Sequence, residues 1–392
     1  MEERRWSILP GSSPPPENVQ LTCLQGPEPF TEQAHPWNEL LLATDTRPEF
    51  PGFFASPEWL RIWAKHLGTQ ATFYTFVAQD EDRWLGVLPM MVVQTKLGRM
   101  QLPMLTLSSW PELDTFELPA VNQEVRQKLL DYALDFAAKE IKDWSLMTMR
   151  EISQDGPTHL ALQNYCVRKK LHLFEDQRAK TPIFDFAELD SAEILRNKKL
   201  RYRLKKARRL VSELGEMEGL FEIATPENYQ RIMADCTEVE RHSWKGQTQP
   251  DAGFLLTEPK RSFANELWQT LAERKAIGSG ILRADGKPLT IHWGMIEEGR
   301  FLGYQMCFLQ EHSRVSLGSV VLDDMLEACP GLGIHIFDAS RGSTDGKHIL
   351  HRYQCSMRYQ MLTTFYRPTL KGRALRLMRE VVAPTLSKLK KD

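Results

Sequence analysis

The first sustained pattern of apolar and polar positions begins near Phe53. Ser56-Pro57-Glu58 precedes Trp59, Leu60, Trp63 and Leu67; serine as N-cap, proline at the first helical position and an acid in the first turn predict a helix start. Two runs of β character, Thr72 to Ala78 and Trp84 to Val93, flank the polar turn Gln79 to Arg83, and a third short apolar run spans Met100 to Leu107. Asn122 opens a helical pattern that puts Leu129, Leu130, Ala133, Phe136, Ala137 and Ile141 on one face, and Trp144 to Met149 reads as the next strand.

The second half repeats that order. Asp190 and Glu193 have the spacing of a capping box for a helix that ends at Gly215, with Leu200, Leu204, Ala207, Val211 and Leu214 as its stripe. Strands follow at Gly278 to Arg283, Pro288 to Ile296 and Arg300 to Phe308, joined by the hairpin pairs Asp285-Gly286 and Glu298-Gly299. A loop then leads to a helix from Ser319 to Cys329 and a strand from Ile334 to Asp338. Phe76 to Leu88 and Gly280 to His292 occupy the same place in the two series, which predicts a duplicated α/β unit. The expected fold class is α/β (α+β), two mixed-sheet halves at residues 51–180 and 181–368. A flexible proline-containing leader is expected over 1–50 and a basic tail helix over 369–392.

Length agrees: 392 residues exceed the roughly 250 to 300 at which one hydrophobic core stops growing. The 50 basic and 51 acidic side chains leave a formal charge of -1, so only local clustering can select a charged partner. Nine Lys or Arg residues lie between Arg196 and Arg209, opposite the apolar stripe. Such a run is either a solvated face or a surface for a cofactor phosphate, an anionic saccharide precursor or nucleic acid. The tail from Leu370 to Lys391, interrupted by Pro384, is a second basic amphipathic stretch, suited to a membrane surface, a synthase partner or docking on its own chain. Six scattered cysteines lack zinc or redox spacing, which predicts reduced thiols and no metal. With no apolar core of a signal peptide in Met1 to Gln20 and no window of about 20 apolar residues, a cytoplasmic protein is expected.

One loop has the composition of a phosphate cradle. In His312-Ser313-Arg314-Val315-Ser316-Leu317-Gly318-Ser319-Val320 a glycine allows close backbone approach just before a helix, Ser316 and Ser319 offer hydroxyls, and Arg314 can grip phosphate oxygens. The same residues also suit an ordinary glycine-containing turn. The corresponding first-half loop, Ser108 to Asp114, has no glycine and two acids, and would repel a polyphosphate. Only the second half is then expected to bind a nucleotide cofactor, leaving the first as scaffold or acceptor site.

At these residues the chain resembles a known family. Phe53-Phe54-Ala-Ser-Pro-Glu-Trp59-Leu60, Gly86-Val-Leu-Pro89, the basic helix around Lys198 to Arg203, Ser243-Trp244-Lys245-Gly246, Ser316-Leu317-Gly318, and Phe337-Asp338 with Arg341-Gly342 coincide in order over about 300 residues. From about Phe53 to Arg367 it is similar to GNAT acyltransferases of the BioF-like or CelD type, associated with cellulose and other exopolysaccharide operons and distantly related to the Fem peptidyltransferases. The resemblance implies a tandem GNAT-like fold that transfers an acetyl or other acyl group from acyl-CoA, normally acetyl-CoA, to an amine or hydroxyl acceptor, saccharides included. It also implies a pyrophosphate cradle formed by Arg314, Ser316, Gly318, Ser319 and Val320.

Acyl transfer from a thioester needs a base or water relay, a donor to the carbonyl and an acid for the leaving thiolate. Glu240, beside the Ser243 motif, is a base candidate or a solvated helix carboxylate. His292 can accept a proton near neutral pH or be a hydrogen-bonded core residue. Tyr304 can protonate the thiolate or simply pack. Trp244 and Lys245 are expected to line the acceptor cleft, with Asp338 and Arg341 at the end of the last strand. Two rival readings accompany this one: a Fem-like aminoacyl-tRNA-dependent peptidyltransferase, against which the absence of a long helical hairpin argues, and a catalytically inactive scaffold. Nucleic acid is therefore not an expected partner.

Overall fold

Two antiparallel meanders, each continued by a helix and a parallel strand, account for most of the regular structure. The coordinates are a computed structural model that describes residues 18–44, 50, 52–97, 100–186, 196–248, 253–341 and 349–382. Two compact units divide the chain, one with residues 1–61, 70–176 and 361–392, the other with 62–69 and 177–360.

The first unit contains β1 (Gln20–Gln25), α1 (Pro29–Glu32), α2 (Ala34–Ala43), the start of α3 (Pro57–His66), β2 (Thr72–Asp80), β3 (Arg83–Leu97), β4 (Met100–Leu107), α4 (Gln123–Lys139), β5 (Leu146–Ser153) and α5 (Pro157–Arg168). Its caps follow the sequence: the Ser56 hydroxyl accepts from the Trp59 N–H at 3.2 Å, and Asn122 Oδ1 from the Val125 N–H at 2.9 Å. Strands β1 to β4 are antiparallel in order and β5 runs parallel beside β4. The expected leader is corrected here, because from Gln20 the chain is already a strand paired residue for residue with β2, Gln20 opposite Gln79 and Gln25 opposite Tyr74.

The second unit takes up most of β6 (Phe174–Asp185), then α6 (Lys198–Ser212), β7 (Met217–Ile223), α7 (Tyr229–His242), α8 (Trp244–Thr248), α9 (Lys260–Glu273), β8 (Ile277–Ala284), β9 (Lys287–Glu297), β10 (Arg300–Phe308), α10 (Leu317–Ala328) and β11 (Ile336–Asp338). β12 (Ser356–Tyr366) and α11 (Leu370–Leu377) follow, and from residue 361 the chain belongs to the first unit again. The strand order is β6-β11-β10-β9-β8-β7, with β11 parallel to β10 and the other neighbours antiparallel. Both hairpin pairs have positive φ at both residues, +48° and +77° at Asp285-Gly286, +47° and +73° at Glu298-Gly299. The Asp190–Glu193 capping box lies outside the described residues; within them α6 starts at Lys198, where Asn197 Oδ1 accepts from the Leu200 N–H at 2.9 Å. Leu200, Leu204, Ala207 and Val211 of α6 bury against Val321, Leu322, Met325 and Leu326 of α10, over Phe301 and Phe337. Each such leucine contributes about 1.5–3 kcal/mol by burial.

The two units differ where it matters for ligands. β4 stays paired with β5 to Thr106, one residue from its end. β10 pairs with β11 only over Arg300 to Leu302, and Gly303 to Phe308 run on without it. At the parting point the β10–β9 register also shifts between Gly303 and Gln305, a bulge at Tyr304. In the second unit β10 therefore runs on past its parallel partner, and the two strands part after Leu302 and Asp338.

Candidate active site

The start of α10 lies against Met306, on the stretch of β10 that runs past β11. Ser316 sits in the left-handed region (φ 61°, ψ 39°) and gives the helix no side-chain cap. Among the described residues the backbone N–H groups of Leu317 and Gly318 have no acceptor, while the Ser319 N–H bonds Ser316 O at 2.9 Å. A Cβ on Gly318 would touch only Met306, at 3.3 Å to Sδ. Packing alone thus scarcely requires glycine there; the bare backbone leaves room at the positive end of the helix dipole, which fits a phosphate. Arg314 is exposed in the preceding turn, Ser319 is half-buried, and the Val320 side chain belongs to the core.

The opposite wall comes from the end of α7. The Ser243 hydroxyl donates to Glu240 O at 2.7 Å, and the Gly246 N–H reaches Ser243 Oγ at 3.4 Å. A Cβ on Gly246 would lie 2.5 Å from Glu240 O, so only glycine lets α8 begin directly after α7. This turn directs Lys245 onto β10, where its Nζ donates to Gln305 Oε1. Trp244 beside it is 40% exposed.

Glu240 is buried, and both carboxylate oxygens accept backbone N–H bonds, from Phe254 at 2.9 Å and Leu255 at 2.6 Å. The anchored Phe254 ring lies 5.2 Å from Tyr304, which also packs on Trp293 at 5.1 Å. Tyr304, half-buried at the bulge, is held by these rings. His292 of β9 is buried between Phe301 and Phe337, with centroids at 5.8 and 5.9 Å, and its Nε2 lies 2.7 Å from where a Cβ on Gly303 would be. Burial pushes the nearby Cys307 thiol up to about 11, against the lowering effect of the Lys245 charge, so it stays protonated at neutral pH.

Asp338, expected at the substrate, is instead 0% exposed and filled by protein donors. Arg358 donates to both oxygens at 2.8 and 2.9 Å, Arg300 at 3.1 Å and the Ser340 N–H at 2.8 Å. Burial would raise its pKa; the Arg358 and Arg300 charges and these hydrogen bonds outweigh that and hold it below the ordinary carboxylate range. Burial in turn lowers Arg300, in part offset by Asp338. Ser340 O accepts from Thr181, Arg358 and Gln360, so the knot fixes the backbone from which exposed Arg341 projects. Gly342 to Gly346 lie outside the described residues.

The structure thus brings Lys245 to Gln305, links Glu240 to Tyr304 through Phe254, sets the start of α10 against Met306, and packs His292 against Gly303 beside the bulge. Gln305, Arg300 and Arg358 went unnoticed in the sequence. Their signal was a polar or charged residue inside or flanking an apolar strand. The basic run proves mixed: Arg196 and Arg208 turn inward to Asp323 at 2.7 and 2.8 Å, while Lys198, Lys199, Lys205, Lys206 and Arg209 are exposed around Tyr202. No helix among the described residues is long and apolar enough to cross a membrane.

Residues 198–348 match the family model described as acetyltransferase (GNAT) domain. No curated protein matches the chain in sequence. Among solved structures it is similar to a conserved protein of unknown function from Bacteroides thetaiotaomicron VPI-5482, 13% identical over 85% of this chain and 97% of that one, TM-score 0.53. A tandem GNAT protein from the clavulanic acid biosynthesis pathway aligns at 12% identity over 90% and 100%, TM-score 0.50. FemX aligns at 12% over 88% and 98%, TM-score 0.52. The fold is that of tandem GNAT proteins.

Proposed function

We propose that the second unit transfers an acetyl or other acyl group from acyl-CoA to an amine or hydroxyl acceptor. The observation that carries this is the β10–β11 splay, with an uncapped helix start at one end and the Tyr304–Lys245 wall at the other. Acyl-CoA supplies the thioester. The Leu317 and Gly318 N–H groups, with Arg314, Ser316 and Ser319, hold its pyrophosphate, and Val320 packs the helix that presents them. The Tyr304 hydroxyl donates the proton to the departing sulfur, the proton released by the attacking acceptor passes through water to restore it, and His292 supports the bulge that positions it. Trp244, Lys245 and Arg341 face the acceptor, while Asp338 acts on Arg341 through the backbone at Ser340. We place the reaction in the cytoplasm, in cell-envelope saccharide synthesis, with the basic tail as contact for a membrane surface or synthase.

Calorimetric titration with CoA tests the cradle. Arg314→Ala is expected to weaken CoA about 10- to 100-fold, the worth of a charge-assisted phosphate contact, and Gly318→Asp at least as much by placing a carboxylate beside the phosphates. A parent protein that does not bind CoA overturns the assignment. Tyr304→Phe is expected to lower kcat about 10²- to 10⁴-fold, as loss of a general acid does, with CoA affinity retained; unchanged turnover removes its role. A second reading, aminoacyl-tRNA-dependent peptidyl transfer, is favoured by the exposed cationic face of α6. RNA binding that weakens steeply with salt identifies it.

A further inference from the structure

We infer that the acceptor is an anion: it carries a carboxylate or phosphate close to its nucleophile, received by Lys245 and Gln305. The inference rests on the acyl-transfer reading of the same cleft and names the class of acceptor.

The buried arginines of the second unit are each matched with an acid. Arg196 meets Asp323, Arg283 meets Asp235 at 2.6 Å, and Arg300 and Arg358 share Asp338. Lys245 has no such acid among the described residues. It is half-buried, and its one partner among the described residues is the neutral carbonyl oxygen of Gln305. Glu240, the buried acid of the same wall, is committed to the Phe254 and Leu255 N–H groups. Holding an ammonium away from water without a counter-charge costs free energy that a ligand anion recovers.

The donor inventory points the same way. An ammonium has no acceptor, so Gln305 must turn its oxygen to Lys245, and its NH2 then faces elsewhere. Among the described residues that NH2 has no acceptor, and Lys245 keeps two further N–H groups. The pair therefore presents donors only, the arrangement that receives carboxylate or phosphate oxygens.

Position separates this site from the cofactor phosphates. Neighbouring residues of a strand point to opposite faces. Met306 touches Gly318 at the start of α10, whereas Gln305 meets Lys245 of α8. Gln305 also adjoins Tyr304 at the bulge, so the anion sits beside the reacting atoms.

The test measures binding of the full chain to paired probes with and without saturating CoA. The L-amino acids and O-phosphoethanolamine are the anions; the amino acid carboxamides and ethanolamine are their counterparts. At least one anionic probe is expected to bind about 10- to 100-fold more tightly than its counterpart, the worth of a charge-assisted hydrogen bond. Lys245→Met, which keeps the length and apolar stem, is expected to erase that preference while leaving CoA affinity and the thermal midpoint unchanged. Gln305→Leu should weaken the same probe. Preference confined to one probe type identifies the anion as carboxylate or phosphate. Equal binding within every pair, or a preference that survives Lys245→Met, overturns the inference. If CoA does not bind but the preference is present and lost in Lys245→Met, the acyl-transfer reading falls and the anion site stands.

Discussion

Replacing Asp338 by alanine is expected to cost about 3–5 kcal/mol of stability, the usual penalty for stripping one partner from a buried ion pair. The variant leaves the Arg300 and Arg358 guanidiniums buried without their shared counter-charge, and the Ser340 N–H without its acceptor. At about 2–4 °C per kcal/mol for a unit of this size, the thermal midpoint should fall by roughly 6–20 °C. Asp338→Asn keeps the shape and loses the charge, so it should fall between parent and alanine variant. The sign with pH follows from the depressed carboxyl. Its contribution is fully present above the ordinary value of 3.8 and disappears as pH drops below 3.8 through the lower folded value. Urea midpoints of parent and Asp338→Asn should therefore converge only below that pH. An Asp338→Ala protein with an unchanged midpoint would remove the knot as a structural centre and return Asp338 to the list of substrate contacts.

Features written in short stretches of sequence were legible. The Asp285-Gly286 and Glu298-Gly299 turns, the Ser56 and Asn122 caps and the bounds of β10 each depend on residues within a few positions of one another. β1 was not, because Gln20–Gln25 has no clear alternation of buried and exposed positions and its partner lies some fifty residues away in β2. Asp338 illustrates the same limit at the site. An acid at a strand end reads alike whether it faces a cleft or a core, and the arginines that decide the matter are 38 and 20 residues distant. The inequality of the halves was visible in their loops, and burial adds to it: Glu112 and Asp114 of the first loop are buried. The splay itself was invisible, since β4 and β10 have similar lengths and apolar character and differ in how far their parallel partners follow them.

Glu240 is expected to behave as a structural anchor rather than as the general base. Its two oxygens hold the Phe254 and Leu255 N–H groups, and Phe254 in turn packs on Tyr304. Glu240→Ala should lose about 3 kcal/mol or more, since each hydrogen bond to a charged group is worth about 1.5–3 kcal/mol and both buried donors are left without acceptors. Glu240→Gln keeps one acceptor and turns an NH2 toward the other N–H, so it should still cost about 2 kcal/mol. Turnover should fall in both variants because Tyr304 loses the ring that positions it. The residual activity of Glu240→Gln should nevertheless keep the pH profile of the parent, since no titrating base has been removed. A base at this position predicts the opposite pair of results: kcat down about 10²- to 10⁴-fold with the thermal midpoint intact, and the acidic limb of the profile abolished. Melting curves and pH profiles on the same two variants decide between these roles, because only the anchor couples loss of activity to loss of stability.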